Sequence, residues 1–342
     1  MRRVRFLHIT ATLAALAVLI PAEARERPLL ERLHQRLQQQ RGPDTMAASG
    51  SPIQGPGDYR FSLMHDGLRR EYRVHVPRSY DPARPAPLLL AFHGGGGDMD
   101  LQADDARYGI LSKSEQVGFV AVFPNGISPL RNGMLGTWNA GTCCGDARDR
   151  DIDDVDFVRR LVADLDRNLH IDHQRIYATG MSNGGMMAYR LACDASDLVR
   201  AIAPVAGTDN TITCRPQRPV SVLHIHARDD THVLFDGGAG ANAFRDRSKV
   251  TEFTSVPASV ERWVEFDGCP HTPRRVVDSP GAGCDLHAAC RDGSRVQVCV
   301  TTTGGHSWPG GGAVRGKTPS TALSANDAMW EFFDSLPRTA SP

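Results

Sequence analysis

Lysine is nearly absent from the chain. It occurs only at Lys113, Lys249 and Lys317, so almost all positive charge on the 342 residues is arginine. Net charge is absent too, since 39 Lys and Arg balance 39 Asp and Glu. Counterion release needs a clustered basic face, so zero net charge argues against a nucleic-acid or polyanion partner. The glycine run 94–97 is followed by no lysine and no G-K-[ST] ending, which argues against reading that run as the phosphate-cradling loop of nucleotide enzymes. After residue 20 no apolar run approaches the ~20 residues needed to span a bilayer. No segment repeats, and 33 Gly with 22 Pro are too dilute for a low-complexity chain. What is present is 41% hydrophobic residues, enough for a sizeable core.

The N-terminus reads as an export signal. Arg2, Arg3 and Arg5 precede an apolar run over 6–20, broken only by His8, Thr10 and Thr12, and Ala22-Glu23-Ala24 supplies an A-x-A site. A run of ~15 residues is short for a membrane anchor. Residues 1–24 are therefore expected to be a signal peptide cleaved after Ala24, leaving a secreted or periplasmic protein with no membrane attachment. Export permits disulfides. All eight cysteines follow residue 24, and an even number favours pairing, although spacing does not set connectivity. Residues 25–57 read as a leader: Leu29, Leu30, Leu33 and Leu37 recur at helical spacing, and a Gly/Pro/Ser stretch over 42–57 then breaks the helix.

From residue 58 the pattern is α/β. Tyr72, Val74 and Val76 alternate with polar residues as in a half-exposed strand. The continuous apolar runs 87–92 and 119–123 suit strands buried on both faces of a parallel sheet, with a helix predicted over 101–117 between them. Helices are also predicted over 155–169, 184–193, 259–266 and 322–333. Further strands are predicted over 175–179, 201–205, 220–226 and 295–300. Strands alternating with helices imply one doubly wound, mostly parallel sheet, so a single catalytic domain is expected over 58–337.

Gly180-Met181-Ser182-Asn183-Gly184 matches G-x-S-x-G. Its flanking glycines permit the tight strand-to-helix turn that lifts a serine hydroxyl clear of the backbone, and the predicted strand and helix stand on the correct sides. His93-Gly94-Gly95-Gly96-Gly97 follows the strand 87–92, where glycine N–H groups can point at a developing oxyanion. A base and an orienting acid should follow in the order Ser, Asp, His. His306 sits in a glycine-rich loop after the strand 295–300, while Asp229 and Asp230 follow the strand 220–226, where ligand sites gather in open sheets. Pattern alone does not choose between the two aspartates.

The same segment resembles the H-x-H-x-D-H site of binuclear zinc hydrolases. Arg228 stands where that site needs an aspartate, and an arginine beside a dication is costly, so no metal is expected. His224 and His226 share one face of a strand and read better as core or supporting groups. No cofactor is expected either.

Six stretches, in order, resemble one known family. They are 88–97 (LLLAFHGGGG), Phe123-Pro124-Asn125-Gly126, 137–145 (TWNAGTCCG), 153–157, 177–185 (YATGMSNGG) and 304–311 (GGHSWPGG), with an H-x-x-x-D-x-x-V match at His226, Asp230 and Val233. The chain from 59 to 333 resembles secreted serine esterases of the polyhydroxybutyrate depolymerase type, close to bacterial feruloyl and acetylxylan esterases. The resemblance implies an α/β-hydrolase fold, with Ser182 as nucleophile, His306 as base and Asp230 as acid. It implies oxyanion donors at the N–H groups of Gly95 and Asn183, and a small-molecule or polymer ester as substrate. His93, Trp138 and Trp308 are expected to bind substrate. His232 stands where that family has a small or apolar residue.

Cys193 should end the helix after Ser182 and Cys214 should lie in a loop beside it, so a 193–214 bridge would tie core elements together. Three pairings are open to Cys269, Cys284, Cys290 and Cys299, of which the resemblance favours 269–290 and 284–299. Adjacent Cys143 and Cys144 must either bond to each other or stay thiols, and the vicinal bridge is the preferred reading.

Overall fold

Leu88, Leu89, Leu90, Ala91 and Phe92 are all fully buried. Successive side chains on a strand point to opposite faces, so such a run can be buried only if both faces of the sheet are covered. In the computed structural model Leu88, Leu90 and Phe92 join one hydrophobic cluster, and Leu89 and Ala91 join another. Val120 and Val122 against Ala121 and Phe123 divide in the same way. The structure describes residues 47–48, 51–130, 133–243, 251–313 and 318–337. The expected signal peptide and leader helix lie outside the described residues.

The strands are β1 (Ala47–Ala48), β2 (Gly57–His65), β3 (Leu68–Val76), β4 (Ala86–Phe92), β5 (Val120–Pro124), β6 (Ile171–Met181), β7 (Ala201–Val205), β8 (Ser221–Ala227), β9 (Arg274–Ser279), β10 (Ala282–His287) and β11 (Val296–Thr301). They form one sheet in the order β1-β2-β3-β5-β4-β6-β7-β8-β11-β10-β9. Six neighbours in the middle, β5-β4-β6-β7-β8-β11, are parallel. Antiparallel pairs flank them, β2 with β3 on one side and β9 with β10 on the other.

Helices α1 (Ile110–Val117) and α5 (Ala325–Asp334) pack on one face, through Ile110, Met329, Phe332 and Phe333. Helices α2 (Asp154–Leu165), α3 (Asn183–Asp194) and α4 (Val256–Asp267) pack on the other, through Phe157, Leu161, Met187 and Trp263. The expected doubly wound, mostly parallel sheet is therefore present. The single helix expected over 101–117 is instead three pieces, Met99–Gln102, Asp105–Tyr108 and α1. Gly109 stands between the last two at φ 65°, a left-handed conformation in which glycine alone is unstrained, and Asp98 and Asp104 cap the new starts.

Four disulfides pair Cys143 with Cys144, Cys193 with Cys214, Cys269 with Cys290 and Cys284 with Cys299. Cys284 and Cys299 are direct cross-strand partners on β10 and β11. That bridge ties the antiparallel flank to the strand that leads toward His306.

Asp267, the last residue of α4, is wholly buried and accepts a hydrogen bond from the Val220 N–H at 3.2 Å. Burial pushes its carboxyl up to about 7 despite that bond, and a helix C-terminus also disfavours negative charge. The folded protein thus holds a proton that the unfolded chain releases near pH ~4. The stabilisation is full below that pH and lost as pH rises through about 7. Asp267→Asn keeps the acceptor for Val220 and is expected to lose this slope. Melting the two proteins across this range should show the unmodified chain weakening relative to the variant as pH rises, and parallel curves would contradict the assignment.

Candidate active site

Four of the parallel strands deliver their C-terminal ends to one rim. β4 leads into His93–Gly97, β6 into Ser182, β8 into Asp230 and β11 into His306. Ser182 has φ 57° and ψ −122°, a conformation that non-glycine residues rarely adopt. It is held there by its N–H, which donates to the Val205 carbonyl at 2.8 Å, and by its carbonyl, which accepts from the Met186 N–H at 3.0 Å. The turn needs a bare backbone two residues on. A Cβ at Gly184 would overlap the carbonyl oxygens of Phe92 and His93.

His306 lies across the cavity from this turn. Its Nδ1 is 2.8 Å from Asp230 Oδ2. Asp230 is buried, and its Oδ1 accepts from the N–H groups of His232 at 2.8 Å and Val233 at 3.2 Å. Burial pushes the Asp230 carboxyl up, but hydrogen bonds from His226 and His306 together hold it below the ordinary carboxylate range. Asp229, the rival in sequence, does something else: its Oδ1 accepts from the Gly305 N–H at 2.8 Å and pins the loop that carries His306. Ser182 and His306 line one cavity of about 620 Å³, in the range of small-molecule sites. No hydrogen bond joins them among the described residues, and such contacts often tighten only when substrate binds.

Gly94 and Gly95 face the Ser182 turn. A Cβ on Gly94 would stand 3.5 Å from Ser182 Cβ, and one on Gly95 would stand 3.6 Å from Asn183 Cβ. Asn183 opens α3, so its N–H has no partner within the helix. Gly95 N–H also donates to no backbone acceptor among the described residues. Two free N–H groups therefore flank Ser182 and can stabilise negative charge developing beside it.

His93, Trp138 and Trp308 are not on the cavity wall. All three are buried behind it, which corrects their expected contact with substrate. His93 Nδ1–H donates to the Gly94 carbonyl at 2.9 Å, and Nε2 accepts from the Gly126 N–H at 2.9 Å. Burial lowers its pKa to about 4, so the ring is neutral and acts as a bracket between two loops. The Trp138 indole N–H donates to the His93 carbonyl at 3.0 Å. Trp308 packs edge-on against Tyr108, which does line the cavity, with ring centroids 5.5 Å apart. Adjacency to a motif gave the right neighbourhood for these residues but not their direction.

The wall instead includes Leu101, Arg107, Tyr108, Met186, Val233 and Phe253, with the Cys144 edge of the vicinal bridge. His232 also lines it and stacks on the His306 ring at 4.5 Å with an interplanar angle of 13°. Asp230, His232 and His306 each offer a ligand atom within 4.8 Å of one another, the one such group among the described residues. Two of those groups already bond to each other.

A six-strand parallel centre, helices on both faces and a serine on a strained strand-to-helix turn define the α/β-hydrolase class. The comparisons narrow it. Feruloyl esterase B from Piromyces equi is 28% identical over 247 residues, which cover 70% of this chain and 42% of that one. The chain thus spans less than half the length of that relative. "Putative esterase NocK" from Nocardia uniformis subsp. tsuyamanensis is 30% identical over 286 residues, covering 77% of this chain and 79% of that one. Feruloyl esterase C from Emericella nidulans is 28% identical over 305 residues, covering 84% and 96%. Two solved structures share the fold: an acetyl xylan esterase from Aspergillus awamori (TM-score 0.52, 15% identity, covering 78% of this chain and 94% of that one) and an S-formylglutathione hydrolase from Agrobacterium tumefaciens (TM-score 0.51, 14% identity, covering 84% and 98%). No family model matches the chain. The chain belongs to the esterases of the α/β-hydrolase fold.

One part of the site escaped sequence reasoning. The Asn183 side chain accepts from the Trp138 N–H at 2.8 Å and donates to the Trp138 carbonyl at 3.1 Å, clamping the 137–145 segment to the Ser182 turn. Asn183→Ala leaves the buried Trp138 backbone N–H unpaired, while the carbonyl keeps the Cys144 N–H at 3.0 Å, so chemical denaturation is expected to show a loss of ~1–3 kcal/mol. Because the residue 183 N–H survives, turnover per folded molecule should fall far less than in variants at Ser182. Unchanged stability would contradict the clamp.

Proposed function

We propose that the protein hydrolyses carboxylic esters by two-step acyl transfer at Ser182. The observation that carries this is the pairing of a half-buried, positive-φ serine turn with a histidine on the same cavity whose Nδ1 is 2.8 Å from a buried carboxylate. His306 Nε2 takes the Ser182 proton as Oγ attacks the ester carbonyl. The N–H groups of Gly95 and Asn183 bind the oxyanion, and Asp230 holds the imidazole in the tautomer that leaves Nε2 free. The proton passes from His306 to the leaving alcohol, and water then attacks the acyl-enzyme by the same route. No cofactor takes part.

Among esters, the apolar wall of Leu101, Tyr108, Met186 and Phe253 favours a flat aromatic or short hydroxyalkanoate acyl group. The feruloyl and acetylxylan esterases among the similar proteins point to ester-linked plant polysaccharide, and the depolymerase-like motifs point to hydroxyalkanoate oligomers. The A-x-A signal and four disulfides fit export, and no helix among the described residues is long and apolar enough to cross a membrane.

Purified protein assayed with methyl ferulate, acetylated xylan, hydroxybutyrate oligomers and nitrophenyl acyl esters should cleave at least one class. Ser182→Ala and His306→Ala should each lower turnover of that ester by roughly 10³- to 10⁶-fold, because groups that act as one unit fail together. Substantial turnover in either variant would overturn the mechanism. Intact mass of the exported form should place its first residue at Arg25, and a chain retaining residues 1–24 would contradict the signal assignment.

A further inference from the structure

Behind Asp230 lies a row of buried polar groups that the mechanism above does not use. His226 Nε2 stands 3.3 Å from Asp230 Oδ2 and 2.9 Å from the Val233 carbonyl. His226 Nδ1 is 3.1 Å from His224 Nε2, and His224 Nδ1 is 2.9 Å from the Tyr189 hydroxyl. Tyr189 and His224 are wholly buried and His226 is 1% exposed, so water does not complete their hydrogen bonds.

The chemistry of the end group fixes a direction along the row. A carbonyl oxygen and a carboxylate can only accept, so His226 must carry its proton on Nε2. A neutral His226 then has a lone pair on Nδ1, which His224 must meet with an Nε2–H. His224 in turn has a lone pair on Nδ1, which the Tyr189 hydroxyl fills. Each donor points toward Asp230, and none points back. Reversing the row would aim the His226 Nε2 lone pair at two acceptors at once, and would be relieved only by a proton on Asp230. A protonated Asp230 could no longer hold His306 as an Nδ1–H donor.

We propose that Tyr189, His224 and His226 are positioning residues, a one-way chain of donors that keeps Asp230 an acceptor and thereby keeps His306 Nε2 free. The inference rests on the Ser182, His306 and Asp230 reading and extends it from α3 through β8. Burial supports the neutral form of the chain, since it holds His224 well below the usual imidazole range and pushes the Tyr189 hydroxyl up. Partners that orient functional imidazoles in metal sites are typically worth ~10- to 100-fold in activity, which sets the size of the effect sought.

The test uses the folded, substrate-free protein first. ¹⁵N NMR of histidine-labelled chain should show His224 and His226 as neutral Nε2–H tautomers and His306 as Nδ1–H. An Nδ1–H tautomer at His224 or His226 overturns the chain. Tyr189→Phe removes one hydroxyl and little volume. It leaves the His224 Nδ1 lone pair unmet while Asp230 and the Val233 carbonyl still impose Nε2–H on His226, so the His226 tautomer should persist and kcat/KM should fall by roughly tenfold, while an Nδ1–H His226 or an unchanged kcat/KM overturns the proposal. His226→Gln retains an N–H toward Asp230 and should keep most of the activity that His226→Leu loses. Equal losses in the two variants would make the role merely structural and overturn it. If His226→Leu does not fold, the tautomers and Tyr189→Phe decide. Ser182 is no member of the chain and the tautomers are read without substrate, so failure of the nucleophile assignment gives a different result from failure of this one.

Discussion

Everything at the site depends on how closely α3 can approach β4. Helix α3 starts one residue after the strand, and its second residue, Gly184, presses on the carbonyls of Phe92 and His93 so tightly that no Cβ fits between them. That contact sets the height of Ser182 above the sheet. It also sets the distance from Ser182 to the glycine loop that leaves β4. Because β4 and β6 are neighbouring parallel strands, register and contact together bring Gly95 and Asn183 to either side of one point. A side chain at 184 would separate the serine from both N–H groups.

The second constraint is dryness behind the cavity. His93, Trp138 and the Asn183 amide form a buried bracket whose hydrogen bonds are almost all to backbone groups of the two loops beneath the cavity. Asp230 is fixed likewise, with two backbone donors on Oδ1 and two imidazoles at Oδ2. Fixed dipoles in a water-poor setting need no reorganisation when charge develops, and this is where most of the stabilisation of an oxyanion and an imidazolium would arise. The cavity side of the same residues stays apolar through Leu101, Met186 and Phe253. Fixed polar groups behind and a wall with a large apolar share in front make a site suited to an acyl chain beside oriented backbone donors.

The core strands were legible because burial on both faces demands unbroken apolar runs, and 88–92 and 201–205 have them. The antiparallel flank was not. β9 has no buried residue and no clean alternation, and a two-residue turn at Pro280-Gly281 was its one local signal. The break at Gly109 was legible in principle, since a glycine inside a helical pattern can end it, but the apolar spacing across it continued. In the site, motif order located Ser182, His306 and the aspartate pair. The choice of Asp230 over Asp229 needed either resemblance or coordinates, because adjacent residues point in opposite directions and composition does not record direction. The aromatic residues were misassigned for that reason. Trp138 and Trp308 stand beside the motifs in sequence, yet their rings face inward.

The proposed chemistry turns on a covalent bond to one oxygen atom, Ser182 Oγ. The most direct measurement is mass mapping of protein quenched during turnover of a slowly released ester. The mechanism predicts the acyl mass on the peptide that contains Ser182, and its absence in Ser182→Ala. Product formation with the acyl group on another residue, or with no covalent adduct at any quench time in a protein slow enough to trap one, would contradict it.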